Sequence, residues 1–303
     1  MEEAQSNKSF MKNSLKARVQ RLLRQMGMYH RLQASALYDL YWSFADKSMI
    51  EERSQEIEFY RGLLPEFRKG DVIFDIGANL GQKSDVFLRM GAKVVAVEPD
   101  ESNQSILKKK FLWARFVKKP IVVVGKAVSD KCAVETMWID APGSAKNTLS
   151  GKWVETLRTD KNRFGAALDF REKKTVETTT VDKLMDVFGV PAFIKIDVEG
   201  YEPNVLRGLQ RAVPLLSFEV NLPEFRPEGV ECIRLLDQLR PDGSFNYATD
   251  CMTGLVLSDW LSGADFLKKF ESCQESSIEI FWKTGQRRSA KLTQEKPEFA
   301  SSK

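Results

Sequence analysis

Histidine and cysteine are scarce in this chain of 303 residues, which has one histidine and four cysteines. The cysteines are scattered and form no C-x-x-C pair: Cys132, Cys232, Cys251 and Cys273. Tetrahedral zinc sites and disulfide scaffolds both need such residues in close groups. We therefore expect reduced thiols in a cytoplasmic protein, and no metal site built on cysteine or histidine.

Long apolar runs are also absent. The longest ones, such as Pro120–Val124, are short and interrupted, whereas a membrane-spanning helix needs about 20 consecutive apolar residues. The first residues are polar and lack the apolar centre of a signal peptide. We therefore expect a cytoplasmic protein without a membrane-spanning segment.

Acidic residues are missing from Ala4 to Tyr38, a segment that holds seven lysines and arginines. Leucine, valine and methionine recur there at helical spacing, which predicts a basic amphipathic helix. The interpretation we favour is a helical appendage packed on the rest of the protein. The alternative is that residues 8–31 make peripheral contact with an anionic membrane, or hold a phosphorylated or acidic substrate. The net charge of +4 is too small to predict nucleic-acid binding.

The clearest pattern present is a strand–turn–helix–strand sequence around residue 80. The strand Val72–Ile76 runs into a glycine-rich turn, a helix follows over Gln82–Met90, and a second strand, Lys93–Val97, ends at Glu98. This order predicts the first unit of a nucleotide-binding sheet, in which the acid after the second strand accepts the ribose hydroxyls. Glu98 lies about 20 residues beyond Gly77, the spacing that such an acid needs.

The turn itself distinguishes between two cofactors. A dinucleotide site has the pattern G-x-G-x-x-G, because a pyrophosphate needs a bare helix N-terminus. Here three residues separate Gly77 from Gly81, Asn79 replaces the middle glycine, and Asp75 precedes the turn. An acid in that place would repel a pyrophosphate but would hold an ammonium group. S-adenosylmethionine, with an amino-acid end and an adenosine end, therefore fits better than a dinucleotide; a turn without a ligand is the remaining alternative.

Strands and helices alternate from residue 70 onward, which predicts an α/β fold with a doubly wound, mostly parallel sheet. The later strands are predicted at Ile121–Val124, Ala133–Asp140, Val176–Thr180, Phe193–Val198, Leu215–Val220, Phe245–Thr249 and Ile278–Trp282, with a hairpin partner at Leu255–Leu257. We expect three parts: a helical, basic N-terminal extension (1–69), a Rossmann-like domain (70–285) and a disordered tail (286–303). The stretch 141–173 is the least regular and is predicted to be a substrate lid.

A second group of charged residues follows the predicted strand Phe193–Val198. Asp197 and Glu199 would lie at the carboxyl edge of the sheet, where ligands of doubly wound folds bind. Lys195 lies on the same strand face as Asp197. Two carboxylates and an ammonium there could orient a hydroxyl and remove its proton. They could also hold a divalent cation, which nothing else in the sequence indicates, or only cap the helix that opens near Pro203.

Four segments together resemble the FkbM family of S-adenosylmethionine-dependent methyltransferases: Phe74–Gly81, Val97–Asp100, Thr179–Leu184 and Phe193–Glu202. The resemblance covers roughly residues 70–222, and the last segment is its most specific part. It implies a class I methyltransferase fold and methyl transfer, usually to oxygen, on natural-product, sugar or lipid-linked glycan substrates. The basic N-terminal segment and the chain beyond Asn221 lie outside the resemblance and do not indicate a substrate.

The resemblance also implies a role for each matched position. The cofactor-binding residues would be Asp75, Gly77, Asn79, Gly81, Glu98, Ala127 and Val128. The first four would line the methionine end, Glu98 would accept the ribose hydroxyls, and the last two would lie near the adenine. The reaction centre would hold Asp197, Glu199 and Lys195.

Methyl transfer to a hydroxyl of a small molecule or glycan requires a proton acceptor. The only histidine, His30, lies outside the matched segments, so Asp197 is the first candidate and Glu199 the second. The alternative function is a non-catalytic module that binds S-adenosylmethionine or a nucleotide and acts through its basic N-terminal helix. A nucleic-acid methyltransferase is less favoured because no basic stripe runs through the core, and a dehydrogenase is disfavoured by the spacing of the turn.

Overall fold

The computed structural model describes residues 48–112, 120–159, 168 and 170–284. The predicted basic helix over residues 8–31 and the predicted disordered tail 286–303 lie outside the described residues, so both stay predictions. None of the described helices combines the length and the hydrophobicity that crossing a bilayer requires.

Helices and strands alternate along the described chain. The helices are α1 (Ser48–Leu63), α2 (Gln82–Met90), α3 (Glu101–Lys110), α4 (Gly151–Thr159), α5 (Val181–Phe188), α6 (Glu202–Arg207), α7 (Arg226–Leu239) and α8 (Gly263–Glu271). The strands are β1 (Val72–Ile76), β2 (Lys93–Val97), β3 (Ile121–Val124), β4 (Ala127–Val128), β5 (Val134–Ile139), β6 (Glu172–Thr179), β7 (Phe193–Ile196), β8 (Leu215–Asn221), β9 (Ser244–Ala248) and β10 (Ser277–Lys283). The bounds of α2, β2 and β3 are those that the sequence predicts.

Seven strands form the central sheet in the order β3-β2-β1-β7-β8-β10-β9. Neighbouring strands pair in parallel except at β10, which is antiparallel to both β8 and β9. A small second sheet has the order β4-β6-β5. This arrangement confirms the doubly wound, mostly parallel α/β fold that the sequence predicts.

Side chains along the central strands alternate between two apolar layers, one on each face of the sheet. On β1, Ile73 belongs to one layer, and Phe74 and Ile76 belong to the other. Helix α1 completes the layer of Ile73, because Tyr60 is fully buried and its ring centre lies 5.0 Å from that of Phe87. Both faces of the sheet are therefore covered, which leaves the ends of its strands as the place for a ligand.

The prediction of an irregular stretch over 141–173 is wrong in part, because α4 forms within it. The helix buries Trp153 and Leu157 in the layer of Phe74. Apolar side chains four residues apart lie on one helix face, and this face is covered by the sheet. The proposed role of the stretch as a substrate lid stays a prediction.

The predicted hairpin strand Leu255–Leu257 is also wrong. The segment lies beside β9 without forming a ladder, and only single bonds join them, such as that from the Val256 N–H to the Tyr247 carbonyl at 2.8 Å. Gly254, with a φ of 87°, turns the backbone immediately before it. The Asn246 side chain also bonds to both backbone groups of Leu257, at 2.9 and 3.1 Å, in place of a ladder between backbones.

The order of the sheet reverses between β1 and β7. Their carboxyl ends meet where Ile76 pairs with Ile196, and the Asp197 N–H donates to the Ile76 carbonyl at 2.9 Å. Gly77 follows with a φ of 82°, and a Cβ there would lie 1.7 Å from the Asp197 carbonyl oxygen. Only glycine therefore allows the two loops to lie this close, at the switch point where ligands of such sheets bind.

We expect Gly77→Ala to lower the free energy of unfolding by about 2 kcal/mol or more. A left-handed backbone costs roughly 1–2 kcal/mol for a residue with a Cβ, and contact with the Asp197 carbonyl adds to this. Urea unfolding measures the change. The control is Gly62→Ala on α1, where a Cβ meets no atom within 4 Å and a helical glycine is removed, so stability should stay equal or rise by up to about 1 kcal/mol. Equal stabilities of the two variants would contradict the close contact.

Candidate active site

The glycine-rich turn is tied to the end of the neighbouring strand β2. The backbone N–H groups of Gly77 and Ala78 both donate to the Val97 carbonyl at 3.0 Å. Asn79 then adopts a left-handed conformation with a φ of 46°, which asparagine tolerates better than most residues. These bonds place the turn directly beside Glu98, the residue that follows β2.

Both carboxylate oxygens of Glu98 are held by the backbone. One accepts from the Asn79 N–H and the other from the Asp100 N–H, each at 2.8 Å. The side chain is 5% exposed. Burial raises the pKa of Glu98 to about 7, against the opposing effect of these two bonds. The acid is therefore fixed in orientation next to the turn.

A cavity opens at the switch point, and we name it the turn cavity. Its wall includes seven of the predicted site residues: Gly77, Asn79, Glu98, Ala127, Val128, Asp197 and Glu199. Residues from the loop before α4 also line it, among them Asn147 and Thr148. The Thr148 hydroxyl donates to the Glu199 carbonyl at 2.8 Å, which joins this loop to the acidic one.

The turn cavity has polar atoms suited to a nucleoside with an amino-acid end. Within the described part of the chain, the side-chain oxygens of Asn79 and Asn103 are buried without a hydrogen-bond partner, and both residues lie on this wall. Buried acceptors of this kind normally have a donor, and hydroxyl, amine or ammonium groups of a ligand would provide one. The residues present therefore fit S-adenosylmethionine.

Two predicted cofactor residues lie beneath the turn and not on the cavity wall. Asp75 is 2% exposed and accepts from the Ser84 hydroxyl at 2.5 Å, and burial raises its pKa. Gly81 caps α2 with a φ of 70°, and a Cβ there would lie 2.6 Å from side-chain atoms of Leu107 and Phe111. In this structure both residues shape the turn from below, and their contact with the methionine end stays a prediction.

Lys110 supports the same turn from α3. Its ammonium group donates to the carbonyls of Leu80 and Gly81 at 2.9 and 2.8 Å. Burial lowers the pKa of Lys110 to about 8. A buried ammonium is thus placed where the turn ends, and no pattern in the sequence indicated this contact.

The acidic loop after β7 holds the predicted catalytic group. Lys195 is 3% exposed and donates to Asp197 at 2.9 Å, as expected for residues on one strand face. Burial opposes charge on both groups, but their attraction and hydrogen bond keep the pKa of Asp197 below and that of Lys195 well above the usual values. Glu199 follows with a φ of 55°, and burial raises its pKa well above the usual range, with the charge of Asp197 adding to the rise.

Two further acids lie beside this loop, and the sequence analysis missed both. Glu202 accepts from the N–H groups of Val198 and Gly200, each at 3.2 Å, and burial raises its pKa to about 8. Glu219 comes from β8 and accepts from the Ser277 hydroxyl at 2.8 Å. An acid within the apolar run Leu215–Val220 was the signal that could have found it, because charged residues are rarely placed in buried strands.

A second cavity, of about 600 Å³, meets the turn cavity at Asp197 and Glu219, and we name it the polar cavity. Its wall comes from α1, α2, the loop after β9 and the start of β10. Its charged members include Arg53, Glu56, Lys83, Lys110, Lys195, Asp250 and Glu279. Within the described ranges, histidine, cysteine and acidic side chains form no group of three that could hold a metal ion.

The comparisons with known proteins agree with the predicted family. The family described as the methyltransferase FkbM domain matches residues 75–240, which is more than half of the chain and includes both the turn and the acidic loop. The hexuronic acid methyltransferase AglP of Haloferax volcanii is 25% identical over 173 residues, covering 56% of this chain and 63% of that protein. The matched region therefore spans less than two thirds of this relative.

Solved structures of similar proteins are more distant. A methyltransferase FkbM from Methylobacillus flagellatus is 16% identical with a TM-score of 0.45, and the match covers 75% of this chain and 47% of that one. A precorrin-6y C5,15-methyltransferase from Geobacter metallireducens is 9% identical with a TM-score of 0.39, covering 78% of this chain and 87% of that one.

The buried Glu98 leads to a prediction about pH. Its pKa of about 7 lies above the ordinary value of 4.5, so between these values the native protein binds a proton that the unfolded chain has lost. The free energy of unfolding should therefore fall as the pH rises through this window. Glu98→Gln should remove part of that fall, at most about 3 kcal/mol.

Urea unfolding at pH 5, 6 and 7 measures this effect. The matched control is Glu101→Gln, an exposed residue at the start of α3, which should leave the pH profile unchanged. If the free energy of unfolding depended on pH in the same way in Glu98→Gln and in the wild type, the burial of a proton at Glu98 would be contradicted.

Proposed function

The chain belongs to the methyltransferase FkbM domain family, and on this basis we propose that it transfers a methyl group from S-adenosylmethionine to a hydroxyl of a sugar, glycan or natural product. The observation that carries the proposal is the meeting of two cavities at Asp197 and Glu219. One cavity has the turn and the acid of a nucleoside site, and the other is polar and large enough for an acceptor. A methyl donor and an acceptor need such adjoining sites, because the enzyme has to align them for an in-line displacement.

The turn cavity would hold the cofactor. S-adenosylmethionine supplies a methyl group carried on a positively charged sulfur. Glu98 would accept the ribose hydroxyls, while Ala127 and Val128 would lie against the adenine and Asn79 would accept a hydrogen bond from the ligand. The acidic loop at Asp197 and Glu199 would then face the charged end.

The polar cavity would hold a neutral acceptor. Its cations already have partners in the described structure: Lys195 pairs with Asp197, Lys83 with Glu56, and Arg53 with Asp85. Hydroxyl groups can donate to the carboxylates and to the Ser277 side chain without carrying a charge into the site. The relative AglP is a hexuronic acid methyltransferase, which supports a sugar-type acceptor for this chain.

We assign the catalytic group to Lys195, Asp197 and Glu199. Lys195 lies under Asp197 and fixes its carboxylate by a charge-assisted hydrogen bond. About a third of the Asp197 side chain stays exposed, so its other oxygen can accept from an acceptor hydroxyl. A non-catalytic binding module, the alternative function, would have no role for the paired Lys195 and Asp197 at the junction of the two cavities.

Calorimetric titration tests the cofactor. We expect S-adenosylmethionine and S-adenosylhomocysteine to bind and NAD not to bind. Glu98→Ala should weaken both adenosyl ligands about 10–100-fold, because hydrogen bonds to a charged group are lost. Glu101→Ala on the exposed side of α3 is the control and should keep the wild-type affinity. Binding of NAD, or of no ligand, would overturn the proposal.

Transfer of a tritium-labelled methyl group to a panel of neutral sugars, glycans and uronic acids tests the activity. We expect Asp197→Asn to reduce turnover about 10²–10⁴-fold while the affinity for S-adenosylhomocysteine is kept. The control is Asp186→Asn, on the exposed face of α5. Full turnover by Asp197→Asn would remove this residue from the reaction, and binding without transfer to any acceptor would favour the non-catalytic module.

A further inference from the structure

Glu219 lies between the two cavities and contributes to the wall of each. Glu219 on β8 pairs in register with Glu279 on β10, so these two acids stand side by side on neighbouring strands. Asp197 also lines both cavities, whereas Glu199 lines the turn cavity alone. A side chain that touches both the methyl donor and the methyl acceptor therefore has to be Glu219 or Asp197.

Asp197 is the weaker of these two bases. Its carboxylate is already paired with Lys195 at 2.9 Å, and this pairing stabilises the charged form. Glu219 accepts from the neutral Ser277 hydroxyl and hydrogen-bonds to Asp197, and the attraction of the more distant Lys195 does not outweigh its burial. Burial and the nearby charge of Asp197 raise the pKa of Glu219 to about 7, so it takes up a proton more readily than Asp197 does.

The charged groups around Glu219 are mostly acids. They come from β7 and its loop, from α6, from β10 and from α7: Lys195, Asp197, Glu199, Glu202, Glu279 and Glu228. Arg53, Lys83 and Lys110 line the polar cavity as well, but Arg53 and Lys83 are paired with Asp85 and Glu56, so acids predominate beside Glu219. Such a cluster responds strongly to an added positive charge, because each carboxyl group raises the cost of ionising the next.

We propose that Asp197 holds the acceptor hydroxyl in place while Glu219 accepts its proton, and that Glu219 becomes able to do so by losing its own proton to solvent when S-adenosylmethionine binds beside it. This inference rests on the proposed function. The positive charge of the bound cofactor compensates the carboxylate of Glu219 across the turn cavity. S-adenosylhomocysteine has nearly the same shape but a neutral sulfur, so it leaves Glu219 protonated.

Bonds and charges balance in the proposed methyl transfer. As the acceptor oxygen bonds to the methyl carbon, the carbon–sulfur bond breaks and its electron pair stays on sulfur, while the hydroxyl proton passes to Glu219. A cation and a carboxylate are thereby replaced by two neutral groups. The proton that the overall reaction must release leaves Glu219 when the next cofactor molecule binds.

Calorimetry in two buffers with different ionisation heats measures the proton released on binding, without any acceptor. Because only the cationic ligand displaces the proton of Glu219, S-adenosylmethionine should release more protons at pH 7 than S-adenosylhomocysteine does, by up to about one proton per site. Protons lost from Glu98 at the ribose are common to both ligands and cancel in the difference. Glu219→Gln should abolish the difference and keep the binding of S-adenosylhomocysteine, whereas the control Glu101→Gln, on the exposed side of α3, should keep the difference.

A second measurement uses the wild type alone and does not depend on the variant. Between pH 6 and 8 the affinity for S-adenosylmethionine relative to S-adenosylhomocysteine should rise about tenfold. At higher pH a smaller fraction of the molecules carries a proton on Glu219 that the cationic ligand has to displace. Equal proton release by the two ligands, a flat affinity ratio, or a difference that persists in Glu219→Gln would each overturn the inference while leaving the cofactor assignment intact. Failure of both ligands to bind would overturn the proposed function and the inference together.

Discussion

The pairing of β1 with β7 is the constraint on which the candidate site depends. The two strands lie side by side near the middle of the sheet. The order of the strands proceeds outward from β1 on one side and from β7 on the other, and the carboxyl ends of β1 and β7 meet at Ile76 and Ile196. The next residues, Gly77 and Asp197, are in direct backbone contact that leaves no room for a Cβ. Because of this contact, the glycine-rich turn and the acidic loop form one surface, although about 120 residues of chain separate them.

Burial of charge is the second property of the site. Acids from four elements lie around the junction of the two cavities, and Lys195 is the buried cation that balances them most directly. Desolvation and mutual repulsion raise the pKa of most of these acids toward neutrality. A site of this kind is poor for stability, but it can exchange a proton near pH 7 and attract a cationic ligand. The proposed role of Glu219 depends both on this proton exchange and on the attraction of a cation.

Much of the central sheet could be predicted from sequence because its strands are short apolar runs bounded by glycine, proline or acids, such as Lys93–Val97 before Glu98. Leu255–Leu257 has the same local composition, but the side chain of Asn246 on β9 bonds to the backbone groups of Leu257 that a strand ladder would use, so composition alone misled. Helix α4 was missed for the opposite reason: its burial comes from contact of Trp153 with a core formed by distant strands. Local pattern predicts an element reliably only where the local sequence also decides its partner.

The sequence by itself determined the kind of sheet, the glycine turn, the position of Glu98 beside that turn and the acidic loop at Asp197, because each lies within one short segment whose spacing carries the geometry. Tertiary structure alone decided which acids share a cavity. Glu219 and Glu279 meet through antiparallel pairing of β8 with β10, and the polar cavity is closed by α1, which precedes the sheet in the chain. Proximity and desolvation arise only when distant segments pack, so the charge state of the site depends on the whole fold.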